Sequence, residues 1–485
     1  DGTALLQGAG ALLPHLIILL TGLTILVLDL FLTSRSRYLN EVLGLVGIVV
    51  ALVCVLQNTG EPRPVFMNMA VVDNLGAFFN AIFLLVAALT VLMSASFVRR
   101  ENLNAGEYYG LIFFATAGFM FVAAAANLVM VFLGIETLSI ATYILSGLLR
   151  TEPRSHEAAF KYFILGAFSS ALFLYGIATV YGALGTTNLL TLTQTLSGQQ
   201  IPPLLYVGVA LLIVGLGFKA AIVPFHMWVP DVYEGAPTSV TAFMTAGPKA
   251  AAFAALLRVF FQGFPVEALS QHWMPVFATL AALTMIFGNV IALAQSSIKR
   301  MLAYSSIAHA GYVFVALTAH NALGAGSILY YLTAYSFMSL GSFTVLLAVA
   351  KPGDQRYSFQ DYAGLATTHP WLAAAMSLFM FSLAGFPPTA GFAGKFYLFS
   401  AAAQAGYYNL ALIGMLASVV SVVYYARVVI TMYMREPDGS QQLAPVSPTG
   451  AAVLGLTSLG VLYMGIFPGS VLRLAEQSVQ FLFSS

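Results

Sequence analysis

In LGFKAAIVPFHMWVPDVYEGAPT, residues 216–238, a lysine, a proline and a histidine fall within or beside one apolar run: Lys219, Pro224 and His226. Charge set in apolar sequence recurs elsewhere. Glu136 lies near the middle of NLVMVFLGIETLSIATYILSGLL, Lys249 in TAGPKAAAFAALLR and Lys395 in LAGFPPTAGFAGKFYLF. Lys161 follows Glu157 by four residues in the first turns of a further run, and His309 sits in YSSIAHAGY. One charge at the centre of a bilayer costs about 2.5–3.5 kcal/mol, so four or five cost on the order of 10 kcal/mol, as much as a typical domain's whole stability. Such side chains line wet interiors, pair with one another and serve transport. A single buried Lys–Glu pair could be glue between helices, and Lys161, near a basic loop, could snorkel. A pair still leaves a surplus, because three deep lysines (Lys219, Lys249, Lys395) face one carboxylate.

A lysine whose proton affinity follows a movable partner charge can take up a proton and release it. An imidazole shuttles protons near neutral pH, which brings in His226 and His309, although a lone histidine among small residues is often a hydrogen-bonded core group. His156 and His369, beside loops at the starts of apolar runs, read as solvated. No histidine pair has the spacing for haem or metal ligation. The single cysteine, Cys54, excludes a disulfide framework, a paired-cysteine zinc site and a cysteine-ligated cluster. No metal and no cofactor are expected in this chain.

The elements that must position these groups follow from composition. Hydrophobic residues make up 60% of the chain and charged residues 8%, against about 25% charged in soluble domains. Such a surface must face lipid, and a net charge of +1 offers no basic patch for nucleic acid. Spanning the hydrocarbon core takes roughly 20 apolar residues. Windows of that kind fall at 11–33, 39–57, 71–98, 107–123, 126–148, 156–183, 203–226, 236–262, 274–294, 299–319, 326–350, 370–400, 406–433 and 449–475, fourteen in all. Asn127 and the alanines before it predict a tight turn between the fourth and fifth. The first window lacks a preceding basic residue and a cleavage site, and reads as a retained span.

Basic residues favour the cytoplasmic side. The odd-numbered loops hold eleven (Arg35, Arg37, Arg99, Arg100, Arg150, Arg154, Lys299, Arg300, Lys351, Arg356, Arg435) and the even-numbered loops only Arg63. The loop after the seventh window is the exception, with Asp231 and Glu234 and no base. This alternation places both termini on the outer side. No nucleotide-binding glycine motif appears. Pro224 interrupts the seventh window, and LAGFPPTAGFAGK interrupts the twelfth. Unwound backbone at membrane depth is tolerated only inside protein or beside water. Two broken spans, five windows apart and each with a lysine, point to inverted repeats. The predicted fold is an all-α polytopic membrane protein, a single membrane domain over 1–485. It divides into N-terminal helices in 1–104, a first repeat in 105–263, a second in 274–433, and a C-terminal helix in 449–475.

FLGIETLSI, GLGFKAAIVPFHMWVPDVYEGAPTSVTAFM, NVIALAQSSIKRMLAYSSIAHAGY and SLAGFPPTAGFAGKFYLF resemble the antiporter-like membrane subunits of respiratory complex I, roughly from the third window to the thirteenth. PDVYEGAP and TAGPKAAAF resemble the N (subunit 2) branch rather than L or M. The resemblance implies a proton relay of Glu136, Lys219, Lys249 and Lys395, with His309 at a position that varies in the family. It implies proton translocation driven by quinone reduction elsewhere in the complex, in a bacterial plasma (inner) membrane. It also implies other membrane-arm subunits as neighbours, and a peripheral arm carrying FMN and iron–sulfur clusters that oxidises NADH. Two rival readings are a subunit of a multi-subunit sodium/proton antiporter, which shares this ancestry, and a purely structural membrane scaffold.

Overall fold

A computed structural model describes residues 10–33, 36–197, 200–350, 353, 357–437 and 445–483. Arg35, Lys351 and Arg356 of the loop tally lie outside the described residues. The chain is helical almost throughout. Its principal helices are α1 (Leu13–Asp29), α2 (Tyr38–Gln57), α3 (Asn74–Arg100), α4 (Ala105–Ala123), α5 (Leu128–Ser146), α6 (Pro153–Leu184), α7 (Leu189–Leu196) and α8 (Pro203–Ala220). They continue as α9 (Val229–Gly235), α10 (Thr238–Leu256), α11 (Glu267–Leu293), α12 (Ile298–Ala319), α13 (Ala322–Val349) and α14 (Pro370–Ala384). The last four are α15 (Ala390–Gln404), α16 (Tyr408–Met434), α17 (Pro448–Ile466) and α18 (Pro468–Val479). Among the described residues twelve helices are long and apolar enough to cross a membrane; α1 and α14 are shorter apolar helices.

Short polar side chains set the boundaries. The Asp73 carboxylate accepts from the Gly76 amide at 2.8 Å and starts α3. The predicted turn before α5 is present: the Asn127 side chain accepts from the Val129 amide at 2.8 Å. Such caps satisfy donors that a helix start leaves bare. Gly385, at φ 94°, ends α14 in the left-handed conformation that glycine adopts without steric cost.

Several boundaries differ from the windows, each for a backbone reason. The seventh window ends as a helix at Ala220, not 226. A turn over 221–228 containing Pro224 then leads into the short α9. The twelfth window, read as interrupted at LAGFPPTAGFAGK, is two helices there, α14 and α15. The last divides at Pro468, where α18 begins. Pro248 lies inside α10 without ending it, and α10 passes into a π-helical stretch, Leu257–Gly263. A small hairpin, β1 (Arg63–Val65) antiparallel to β2 (Ala70–Val72), stands in the loop before α3, where no strand was expected.

Loops of one parity meet. The hairpin bonds to the α4–α5 turn (Val71 N to Ala124 O, 2.7 Å), and that turn bonds to the loop before α7 (Leu128 N to Thr187 O, 2.9 Å). The loop before α12 bonds to the one after α13 through Ile298 N and Tyr357 O at 2.7 Å. The membrane-length helix of α10 and its π-helical continuation is wholly buried, whereas only about a third of α2, α6, α16 and α17 is buried. The interior of the bundle is therefore built around the element that carries Lys249.

Candidate functional site

Lys219 occupies the last turn of α8, buried, at the point where the helix stops. Its ammonium donates to Ser139 Oγ at 2.7 Å and to Tyr143 Oη at 3.3 Å, both on α5, and lies 5.8 Å from the Tyr162 ring centre. Glu136, one turn before Ser139, is half-buried and accepts from Ser170. No ion pair within 4.0 Å joins Glu136 to Lys219 among the described residues; hydroxyl groups meet each instead. The direct Glu–Lys contact admitted by the sequence is thus absent.

Lys395 sits just past the second break, near the start of α15. It donates to the carbonyls of Leu383 at 2.8 Å and Ala384 at 3.1 Å, and to Ser418 Oγ at 2.8 Å. Carbonyls freed at a helix end need partners where water is scarce, and here the lysine itself provides one. At the first break the Phe218 carbonyl accepts from Trp228 Nε1 at 3.1 Å.

Between the two breaks lies a line of polar and aromatic groups. Lys249 donates to both the carbonyl and hydroxyl oxygens of Ser306 and stands 5.2 Å from the Tyr335 ring centre. The Tyr335 ring lies 5.1 Å from the His309 ring, which is itself buried and bonded at both nitrogens, to Tyr331 and, at 2.9 Å, to Tyr425. Tyr312 lies 5.4 Å from His309, and the Lys395 ammonium lies 4.8 Å from the Tyr312 ring. On the other side, the Tyr162 ring stacks on Trp228 at 4.4 Å and Trp228 meets Tyr233 at 5.8 Å. Tyr233 donates to the Met244 carbonyl on α10 at 3.2 Å, on the helix that carries Lys249. From Lys219 to Lys395, aromatic rings, hydroxyls, an imidazole and three ammonium groups are arrayed, joined by hydrogen bonds at Ser139, Ser306, Tyr331, Tyr425 and Ser418 and by ring contacts of 4.4–5.8 Å elsewhere. Neither Lys219, Lys249 nor Lys395 has a carboxylate within 4.0 Å among the described residues. The phenols were not singled out in the sequence, because a tyrosine at helical spacing reads as core.

Lys161 stands apart from this line. It is partly exposed and bonds Glu157 and Asp231, each at 2.7 Å. Asp231 also binds Arg300 at 2.9 Å, and Arg300 reaches Glu234 at 2.8 Å. The two acids of α9 thus find their bases on α6 and α12, which accounts for the loop that broke the charge alternation. Beside this cluster a cavity of about 800 Å3 opens among Glu152, Arg154, Glu234 and Asp361. His226, in the turn before α9, is half-buried with Nδ1 unpartnered, and no hydrogen bond joins it to Lys219.

Burial pushes the Asp231 carboxyl upward, but hydrogen bonds from Lys161 and Arg300, with their charges, more than offset this and hold it below its ordinary value of 3.8. Its stabilising contribution is present above that value and is lost as pH falls through the lower folded value. Asp231→Asn is therefore expected to lower the melting temperature of the assembled protein by a constant amount at neutral pH. The gap to the parent should close as pH drops below 3.8. Parallel thermal melts in a pH series check this; a gap that widens in acid would contradict it.

Several buried charges escaped the sequence reading, among them Asp29, Asp73, Arg258 and Lys299, the last counted there as a loop base. Arg258, in the π-helical stretch, is completely buried and grips Asp73 with two bonds, at 2.6 and 2.7 Å, and the Ala123 carbonyl at 3.0 and 2.8 Å. It lies near the end of its apolar window, where an arginine reads as snorkelling, and its partner is 185 residues away. The pairing sets Arg258 apart from the three deep lysines of the line. Arg258 is matched by a carboxylate in fork geometry, while the three deep lysines are held by hydroxyls and carbonyls.

A family model described as "NADH:quinone oxidoreductase/Mrp antiporter, TM" matches residues 125–421, which include Glu136, Lys219, Lys249, His309 and Lys395. NADH-quinone oxidoreductase subunit N of Trichlorobacter lovleyi is 46% identical over 473 residues, covering 97% of each chain. Among solved structures, a chain of respiratory complex I from Thermus thermophilus superposes with a TM-score of 0.82 at 35% identity, over 96% of this chain and 99% of that one. A chain of the Mrp complex from Dietzia superposes at 0.83 with 21% identity, over 99% and 98%, a likeness of fold alone. With the motifs, the helical architecture and near full-length matches in agreement, the chain belongs to the NADH:quinone oxidoreductase/Mrp antiporter transmembrane family, in its NADH-quinone oxidoreductase subunit N branch.

Proposed function

We propose a path for the protons that this membrane subunit of an NADH-quinone oxidoreductase translocates. Protons enter from the face bearing the odd-numbered loops, where the cavity beside Glu234 and Asp231 opens, and reach Lys219 or Lys249. They pass by Ser306, Tyr335 and His309 to Lys395, and leave toward the opposite face. Glu136 acts on Lys219 from a distance: moving it nearer or farther changes how firmly that amine holds a proton. Lys161 serves the Asp231 cluster at the mouth rather than the buried line, and His226 is a side branch. The observation that carries the reading is three buried amines without carboxylate partners, with hydroxyls, phenols and one imidazole placed between them.

The odd-loop face is cytoplasmic, in a bacterial plasma membrane, with both termini outside. The twelve long helices, α1, and the α14–α15 pair make fourteen crossings. The two repeats run over 105–263 and 274–433, with their broken spans holding Lys219 and Lys395, after helices in 1–104 and before a C-terminal helix in 449–475. Moving a charge against the membrane potential costs about 2.3 kcal/mol per 100 mV, and quinone reduction elsewhere supplies it. NADH, FMN, the iron–sulfur clusters and quinone are handled by other subunits of the assembly.

The test uses the purified whole complex in sealed vesicles. NADH addition should drive proton uptake that is unchanged when sodium is replaced by potassium. Sodium-dependent proton movement in the absence of any NADH dehydrogenase would favour the antiporter reading instead.

A further inference from the structure

On the seam between α8 and α11 lies an apolar groove of about 370 Å3. Val209 and Ile213 of α8 form one wall, and Val276 and Leu280 of α11 form the other. At its outer end Tyr206 and His272, near the starts of these helices, meet edge to face at 5.0 Å. At its inner end is Phe225, in the turn that follows Lys219. The surrounding surface is apolar and exposed, with Leu204, Val207, Ile286 and Phe287 outward. The groove therefore opens to hydrocarbon, and it inherits this from the reading of α8 and α11 as membrane spans.

Its shape selects an occupant. From Leu269 to Leu280 the helix rises about 16 Å, close to half of the roughly 30 Å hydrocarbon core and so to the depth of one leaflet. The groove is narrow and shallow, too small to take in a whole partner helix about 10–12 Å across, and of a size that an extended hydrocarbon chain can occupy. The walls present no polar side chain, while the rim offers a phenol and an imidazole at the depth where aromatic residues meet headgroups.

We propose that this groove binds one acyl chain of a phospholipid from the leaflet on the side where α8 and α11 begin, its headgroup at Tyr206 and His272. The chain end meets Phe225. That ring lies so close to Gly217 in the last turn of α8 that a Cβ there would meet it at 2.9 Å. The same turn is tied to α11 by Val223 N donating to Thr284 Oγ1 at 3.0 Å. A bound acyl chain thus braces the turn that ends the helix of Lys219 and fills the seam between the two halves.

The test is photo-labelling of the whole complex in bilayers containing a phosphatidylcholine with a diazirine in its acyl chain, with adducts located by mass spectrometry. Adducts are expected on Val209, Ile213 or Val276 above the level on Val419, a plainly lipid-exposed side chain of α16. Ala210 is exposed in the groove. Ala210→Trp, or Val276→Trp from the facing wall, should reduce groove adducts at least about fivefold and leave Val419 unchanged. Labelling of the groove that matches Val419 and ignores both substitutions overturns the proposal. So does a groove free of adducts, the result if another subunit covers this face. Either failure leaves the NADH-driven proton measurement intact.

Discussion

A complex carrying Lys219→Ala is expected to assemble at normal levels and to lose coupled proton pumping. NADH-driven acidification in vesicles should fall by at least about tenfold, a barrier increase of about 1.4 kcal/mol or more. The two halves of this expectation rest on the same geometry. Lys219 is held by Ser139 and Tyr143, with no carboxylate within 4.0 Å among the described residues. Removing it leaves two hydroxyls that can bond elsewhere, and Glu136 keeps its bond to Ser170, so the fold tolerates its loss. The proton line, by contrast, loses the amine on which Glu136 acts. Alanine offers nothing that can accept or release a proton beside Glu136. Normal acidification by an assembled Lys219→Ala complex would refute the relay, and loss of the subunit from the membrane would show Lys219 to be structural.

Arg258→Ala is expected to do the opposite. Its guanidinium is fully buried and forks onto Asp73, which also caps α3, and onto the Ala123 carbonyl. Breaking a buried pair by removing one member costs about 3–5 kcal/mol, because the other charge is left unpaired in a site without water. The variant should therefore leave little folded subunit in the membrane, measured as subunit content of the purified complex. Arg258→Met combined with Asp73→Asn should recover much of it, since the neutral pair strands no charge. Complex that assembles fully with Arg258→Ala would show the pair to be dispensable.

These contrasting outcomes mark what the sequence could and could not reveal. Apolar windows located the membrane-length helices, because about twenty apolar residues have few uses besides crossing oil, but not the short α7 and α9, which fall between windows. The Asn127 turn was legible because a side chain that caps a helix start is a local feature. The break at Pro224 was legible too, but the exact ends of α8 at Ala220 and of α17 before Pro468 were not, because the runs stay apolar on both sides. Lys219, Lys249, Lys395 and His309 stood out by the cost of placing them in hydrocarbon. Their grouping did not: Lys249 meets Ser306 across 57 residues and His309 meets Tyr425 across 116. Whether a buried charge is paired depends on such distant neighbours, and for that reason Arg258 was passed over and a direct Glu136–Lys219 contact was admitted. The tyrosines that join the amines carry no cost in oil, and so gave no signal.

The most direct test is an experimental map of the complex in a bilayer, at a resolution that shows ordered water. The account predicts the amines of Lys219, Lys249 and Lys395 within the hydrocarbon layer, with waters joining them through Ser306, His309 and the flanking phenols. A dry interior between these amines, with their charged ends turned out among the lipid headgroups, would contradict it.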